Sequence, residues 1–433
     1  MATTEFVEVL RWLYALEAAR GMDFKLERVA LALKNLGDPQ NRYRCVHVAG
    51  TNGKGSVSAM IHAILNAAGY RTGLYISPHL VTFQERIRIG SQLISEQQVV
   101  HLVQRIRGAA TVRGIELTYF EFVTVMAFLH FADESAEVAV IEVGLGGRLD
   151  ATNVISPLVT VITSIDLDHE DYLGNSIESV AAEKCGIIKA AVPVVVGRVG
   201  AGARTVIDET ARRHQARVWS ANEDFHLSGA TKGTFVGLGS DLENISLALR
   251  GRFQIENAAV AIATIRLVAA ALPVADQAIR AGLVAVEWPG RLDVIVGEPM
   301  VIVDGAHNPS AVRRLVAELP EIAGGRKIHM LFAVMRDKRW QPMLDVLIPH
   351  AASVTLTTAL PGRGEDPSRL AAAIDPNVPV HVNDDAVGAF EELLGSVGEG
   401  DAILVTGSLF LVGQVYPAFA RRRQQLSAHV SAQ

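Results

Sequence analysis

The stretch CVHVAGTNGKGSVSAM (45–60) decides the fold. A β-branched apolar run ends at Gly50, a glycine-rich loop follows, and helix-period residues begin at Val57. Strand, loop and helix in that order are what a phosphate cradle requires. Glycines let backbone N–H groups approach phosphate oxygens, and the helix N-terminus favours negative charge. Lys54 supplies a point charge and Ser56 a hydroxyl that can reach a metal. The loop departs from G-x-x-x-x-G-K-[ST]: position 48 is Val, and Gly55 separates Lys54 from Ser56. A glycine-rich turn that only caps a helix is the plainer alternative. The lysine and its context coincide, so Gly53, Lys54, Gly55 and Ser56 read as a grip on nucleotide phosphates.

Working outward, short β-branched runs recur at VAVIEVG (138–144), LVTVITSI (158–165) and VPVVVG (192–197). Helix-period segments separate them: VSAMIHAILNAAG (57–69), SEQQVVHLVQRIRG (95–108) and FEFVTVMAFLHFA (120–132). This alternation predicts an α/β fold whose parallel sheet carries helices on both faces. The Gly-, Thr- and Ser-rich stretch 201–250 predicts a small antiparallel excursion. A second α/β series begins near residue 300, with strands MVIVD (300–304), KIHMLFAV (327–334), SVTLTT (353–358), VPVHV (378–382) and DAILVTG (401–407). It reads as a smaller, Rossmann-like C-terminal domain. Trp288-Pro289-Gly290 is a turn signal between the two series and divides the chain into 1–288 and 289–433. The polar tail after Arg421 is expected to fray.

Composition narrows the function. With 40 Lys+Arg against 46 Asp+Glu and a pI near 6.1, the chain is mildly acidic, which argues against a nucleic-acid coat. At 49% hydrophobic it has ample material for cores, which excludes disorder of the whole chain. The most apolar stretch, NAAVAIATIRLVAAALPVA (257–275), is interrupted by Arg266 and does not reach a membrane span. Glu5, Glu8 and Arg11 make the N-terminus an amphipathic helix rather than a signal peptide. Cys45 and Cys185 read as buried free thiols. Together these features imply a cytoplasmic protein without nucleic-acid or membrane partners.

A phosphate loop says nucleotide, not reaction. Glu142 ends an apolar strand, at the edge where open parallel sheets bind ligands. The next strand leads into Asp166-Leu167-Asp168-His169, which would place carboxylate and imidazole on adjacent strand ends. Glu142 and His169 could then hold a catalytic metal around ATP phosphates, with Ser77 as a hydroxyl ligand. A loop acid, a helix-capping or hydrogen-bonding histidine and a turn serine are the plainer readings of these residues. Lys184 reads first as a surface lysine ending a helical pattern. Carbamylation, which makes an anion from the neutral amine and carbon dioxide, is the sharper alternative. Arg291 follows the Pro-Gly turn, where its guanidinium could contact phosphate after domain closure or form a salt bridge. Asp304 ends a strand and could cap the helix starting near Pro309.

VAGTNGKGS, ISPHL, TYFEF, EVGLGGRLDATN, TSIDLDHEDYLG, AAEKCGIIK, WPGRLD, DGAHNP, MRDK and VTGSLFLVG, in register from about residue 20 to 415, resemble the Mur ligase superfamily. Within it the chain is most similar to the folylpolyglutamate synthase and dihydrofolate synthase branch. The resemblance implies an ATP-dependent ligase that activates a pterin or folate carboxylate as an acyl phosphate and couples it to L-glutamate. It implies ATP and two Mg2+ sites, and it matches Ser77 and Glu142 to one site and His169 to the second. Lys184 matches the lysine that is carbamylated in this family. Asn257, Arg291 and Asp304 match nucleotide contacts, and His307 and Ser408 lie near the incoming glutamate. Thr118, Tyr119, Phe120 and Glu121, with Leu149, Asp150 and Ala151, match the pterin side, with Lys25 to Arg28 nearby. Lys54, Lys184, His169, Arg291 and His307 become the expected catalytic set, in a monomer. Peptidoglycan-precursor ligases of the same superfamily carry a separate N-terminal domain, and only 49 residues precede Gly50 here. A P-loop kinase or nucleotide switch would need no second domain bearing DGAHNP.

Overall fold

A computed structural model describes residues 3–20, 25–111 and 114–431. Contacts divide the chain into two units, Met1–Ala248 with Gln254–Glu287, and Leu249–Phe253 with Trp288–Gln433.

The first unit carries strands β1 (Arg44–Ala49), β2 (Thr72–Tyr75), β3 (Ile87–Ile89), β4 (Gln92–Leu93), β5 (Val138–Glu142), β6 (Val159–Ile162), β7 (Val194–Val196) and β8 (Val218–Ser220). They form one sheet in the order β4-β3-β2-β5-β1-β6-β7-β8. All neighbours are parallel except at β3 and β4. Apart from Arg44 at the start of β1, the central strands β1, β5 and β6 are buried, as apolar runs rich in Val and Ile require when helices cover both faces. One face packs a large cluster that includes Phe122, Phe128 and Phe131 from the helix Tyr119–Asp133, with Leu13, Val29 and Leu33 from the N-terminal helices. Each such side chain contributes roughly 1.5–3 kcal/mol by leaving water. A second cluster joins Ile162, Val194 and Val196 to Val180 and Ile207. Both cysteines are free and buried.

The antiparallel excursion is shorter than the sequence suggests. Residues Ala201–Arg213 are a helix and β8 joins the main sheet. Only β9 (Phe225–Ser228), β10 (Gly233–Gly237) and β11 (Leu242–Ile245) form the separate sheet, around the stacked Phe225 and Phe235. The helical spacing of Ala203, Ile207 and Ala211 is the signal that the Gly-, Thr- and Ser-rich segment after it obscured.

The second unit holds β12 (Asp293–Ile295), β13 (Met300–Val303), β14 (Ile328–Phe332), β15 (Ala351–Leu356), β16 (Val380–Val382) and β17 (Ala402–Thr406), ordered β12-β13-β17-β14-β15-β16. Only β12 runs antiparallel to its neighbour. The last helix runs Leu409–Ser431, past Arg421. Arg422 donates to the Glu298 and Pro299 carbonyls and Arg423 pairs with Asp293, which ties its polar part to the sheet edge. No helix among the described residues is long and apolar enough to cross a membrane.

Two core histidines make the first unit acid-sensitive. Burial pushes His47 and His62 down to about 3, helped by the charges of Lys189 and Arg88 respectively. The unfolded chain takes up these protons near the ordinary value of 6.5, while the folded chain refuses them until about pH 3. Stability from this source is therefore complete above pH 6.5 and lost as pH falls toward 3. Each histidine adds a slope of about 1.4 kcal/mol per pH unit within that window. Urea unfolding across the range should show the slope, and it should flatten in His62→Gln. An unchanged slope in that variant would contradict the assignment.

Candidate active site

The phosphate loop is held from several sides. Gly50 has φ 151°, and a Cβ there would lie 2.0 Å from Thr163 Oγ1. Gly53 has φ 85°, and a Cβ there would meet Asn257 Oδ1 at 2.6 Å. Glycine is the residue that fits both positions. Lys54 opens the helix Lys54–Ala67, and its Nζ turns back to donate to the Gly50 and Thr51 carbonyls at 3.0 and 3.2 Å. The segment after β6 straps the loop down. Thr51 N donates to Ser164 O (2.8 Å), Asn52 N donates to Ser164 Oγ (2.9 Å), and Thr163 Oγ1 donates to Asn52 O (2.6 Å). Thr51 Oγ1 accepts from Asp166 N at 3.0 Å. Ser56 is buried and accepts from Gln254, which also accepts from Asn257. Thr163, Ser164 and Gln254 were not assigned roles from sequence. TSID and FQIEN contain them, but only the folded chain brings them to their partners.

Glu142 and His169 do not stand on adjacent strand ends. The strands β5 and β6 flank β1, so the phosphate loop lies between them. Val48 is in register with Glu142, and β2 brings Ser77 to the far side of β5. Along this edge the order is Ser77, Glu142, phosphate loop, then the segment carrying His169. Glu142 is buried at 4% exposure. His169 has φ 52° and its backbone N–H donates to Asp168 Oδ1 at 2.9 Å. Its imidazole does not cap the short helix that follows, so the plainer capping role fails. Among the described residues no group of three or more His, Cys, Asp or Glu gathers as a closed metal cage. A hydroxyl, one carboxylate and one imidazole spread along a phosphate loop nevertheless suit Mg2+, which keeps waters and takes phosphate oxygens as further ligands.

Lys184 is not a surface lysine: it lies in the last turn of the helix Ile177–Cys185 and is 5% exposed. The loop after Glu142 packs directly on that helix end. Arg148 N donates to Glu183 O at 2.8 Å, and a Cβ on Gly147 would lie 2.9 Å from Lys184 O. A Cβ on Gly186 would strike Arg148 Cα at 2.3 Å. Close glycine contact thus brings EVGLGGRLDATN and AAEKCG together.

The expected pterin-side residues also converge. Thr118 and Glu121 form a capping box, in which Glu121 Oε2 accepts from Thr118 N at 2.8 Å. Glu121 Oε1 accepts from Arg28 Nη2 at 2.8 Å, which joins TYFE to the early segment. Phe120 covers Gly144, where a Cβ would meet its ring at 2.3 Å. Asp150 is buried, and burial raises its carboxyl above the ordinary range against several stabilising hydrogen bonds. It accepts from Gly144 N (3.0 Å), Leu145 N (2.9 Å) and Thr152 N (2.9 Å), so its oxygens shape the loop that presents Leu149 and Ala151. His47 extends this network through Thr152 Oγ1 at 2.8 Å. Arg86 was missed: it lies 5.5 Å over the Tyr119 ring and donates to His79 at 2.8 Å.

In the second unit, Asp304 is buried and accepts from Leu292 N and Ala306 N, both at 2.8 Å. Burial raises its carboxyl, and the Arg291 guanidinium beside it works the other way. The helix Pro309–Ala323 is capped by Asn308, not Asp304. His307 Nδ1 donates to Gly305 O at 2.8 Å. Gly407 N donates to Ala306 O at 3.0 Å, which sets buried Ser408 beside the DGAHNP loop. Arg291, Asp304, His307 and Ser408 therefore converge within this unit.

Residues 48–265 match the Mur ligase middle domain, and residues 290–409 match the Mur ligase glutamate ligase domain. The dihydrofolate synthase/folylpolyglutamate synthase of Bacillus subtilis is 34% identical, across 95% of this chain and 98% of the relative. The chain belongs to the folylpolyglutamate synthase and dihydrofolate synthase branch of the Mur ligases. The Escherichia coli FolC structure in complex with DHPP and ADP superposes on this Mur ligase with a TM-score of 0.89 and 32% identity, across 96% of this chain and 98% of the other. A bifunctional folylpolyglutamate synthase/dihydrofolate synthase with Mn, AMPPNP and L-glutamate bound gives 0.87 and 33%, across 95% and 98%.

Proposed function

We propose that this chain is an ATP-dependent ligase that joins L-glutamate both to dihydropteroate and to the glutamyl tail of reduced folates. The observation that carries the reading is the edge of the first sheet, where a Lys54-bearing phosphate loop is strapped between Glu142 and the His169 segment. A carboxylate oxygen of the pterin acid attacks the γ-phosphorus, and the bond to the β,γ-bridging oxygen breaks, releasing ADP. The glutamate amine then attacks the acyl carbon, orthophosphate leaves, and the amine gives up its proton. Gly53, Lys54, Gly55, Ser56 and Asn257 hold the nucleotide. Ser77, Glu142 and His169 would hold two Mg2+ ions, which supply charge neutralisation for the transferring phosphoryl group. Thr118 to Glu121 and Leu149 to Ala151 position the pterin side. In residues 289–433, Arg291 and Asp304 serve the nucleotide, and His307 and Ser408 serve the glutamate. Lys184 acts as a carbamate: carbon dioxide adds to its neutral amine, one proton leaves, and the new anion faces the site. Its burial beside the loop from Glu142 supports that role. The working form is a cytoplasmic monomer, which light scattering of the purified protein checks.

With a carboxyl-18O pterin acid, ATP and glutamate, one labelled oxygen is expected in the released orthophosphate. Unlabelled phosphate from a folded, turning-over preparation would rule out the acyl phosphate. A kinase or nucleotide switch would release no phosphate in a glutamate-dependent way. Separate assays with dihydropteroate and with tetrahydrofolate test whether both activities reside in this chain.

A further inference from the structure

Gln254 lies on the helix Arg252–Val268 and its side chain has no solvent exposure. Burying an amide is costly unless both ends are hydrogen-bonded, and both ends here are used. Its Nε2 donates to Ser56 Oγ at 3.3 Å, and its Oε1 accepts from Asn257 Nδ2 at 2.8 Å. Asn257 Oδ1 in turn stands 2.6 Å from the point that a Cβ on Gly53 would occupy. A single amide is thus bonded to Ser56 directly and linked through Asn257 to the surroundings of Gly53.

The polarity of this chain of bonds has consequences. Ser56 receives a hydrogen from Gln254, so its own hydroxyl proton is directed away from that amide. Asn257 spends an N–H on Gln254, so its carbonyl oxygen is the atom turned toward Gly53. Rotating either terminal amide would set donor against donor or acceptor against acceptor in a buried place. A leucine of similar size would fill the space without specifying either orientation.

We propose that Gln254 is a positioning residue for nucleotide binding, setting the hydroxyl of Ser56 and the amide of Asn257 before the phosphates arrive. The inference rests on the nucleotide reading of the loop given above. Mg-ADP is the probe, titrated calorimetrically against the full chain, with thermal melting as a check on folding. Gln254→Leu should bind Mg-ADP about tenfold more weakly than wild type, the scale of one buried polar group losing its partner. Gln254→Glu keeps the shape, cannot donate to Ser56 and adds a negative charge beside the phosphates. It should bind more weakly still at neutral pH. Because Gln254 acts through Asn257, Gln254→Leu combined with Asn257→Ala should lose less than the product of the single losses. Wild-type affinity in both Gln254 variants, or losses that multiply, would overturn the inference while leaving the nucleotide reading in place. Absence of Mg-ADP binding by wild type would overturn that reading and this inference with it.

Discussion

Lys54→Ala is expected to lower glutamate-dependent phosphate release by about a thousandfold or more, the scale of removing a cation aimed at a transferring phosphoryl group. Two consequences combine. The ammonium group is the point charge that the loop offers to phosphate, and the same Nζ bonds to the Gly50 and Thr51 carbonyls hold the loop in its curve. Lys54→Arg separates them. It keeps the charge, but its planar head is too large for the bonds to both carbonyls, so it should recover only a small part of the rate. Thermal melting should change little in either variant, because the side chain is half-buried at a helix start rather than in a core. Substantial turnover in a folded Lys54→Ala protein would remove the loop from the chemistry.

Lys184→Leu should cost about a hundredfold to a thousandfold in turnover, comparable to losing one preorganised electrostatic partner. Leucine suits a buried position, so the fold should survive where a charged replacement would not. The carbamate makes a sharper claim than the loss itself. Wild-type activity should fall when bicarbonate and carbon dioxide are stripped from the buffer and return when they are restored. Lys184→Ala should regain part of its rate with added short-chain carboxylates, which replace the missing anion. A carbamate carbon should appear in the NMR spectrum of protein supplied with 13C-bicarbonate. Full activity without carbon dioxide, together with no such signal, would reduce Lys184 to a buried ammonium.

The sheet of the first unit is legible because its central strands β1, β5 and β6 are rich in Val and Ile and glycines mark the loops that follow β1 and β5. The excursion starts later than the sequence suggests because the Gly, Thr and Ser content of 201–250 is gathered after Arg213, while Ala201–Arg213 carries only a sparse apolar spacing among its three arginines. The placing of Glu142 and His169 depended on strand order. Sequence puts β6 after β5, but β1 inserts between them, and no local pattern records that insertion. Lys184 shows the same limit. Its helix was visible, but its burial comes from Gly147 and Gly186 allowing a neighbouring loop to close on the helix end. The straps on the phosphate loop from Thr163, Ser164 and Gln254 arise between segments about a hundred residues or more apart, so their residue types carried no signal until the chain was folded.

The glycine tract between Glu142 and Asp150 behaves as a gauge block. It has the aromatic lid of Phe120 on one side and the carbonyls of Glu183 and Lys184 on the other, with no slack for even a methyl group at 144 or 147. Any thickening there would press on Phe120 on one side and on the Glu183 and Lys184 carbonyls on the other in a single movement. If the proposed pterin-side placing of Leu149 holds, retuning the enzyme toward other acids is better aimed at that side chain than at the glycine spacer before it.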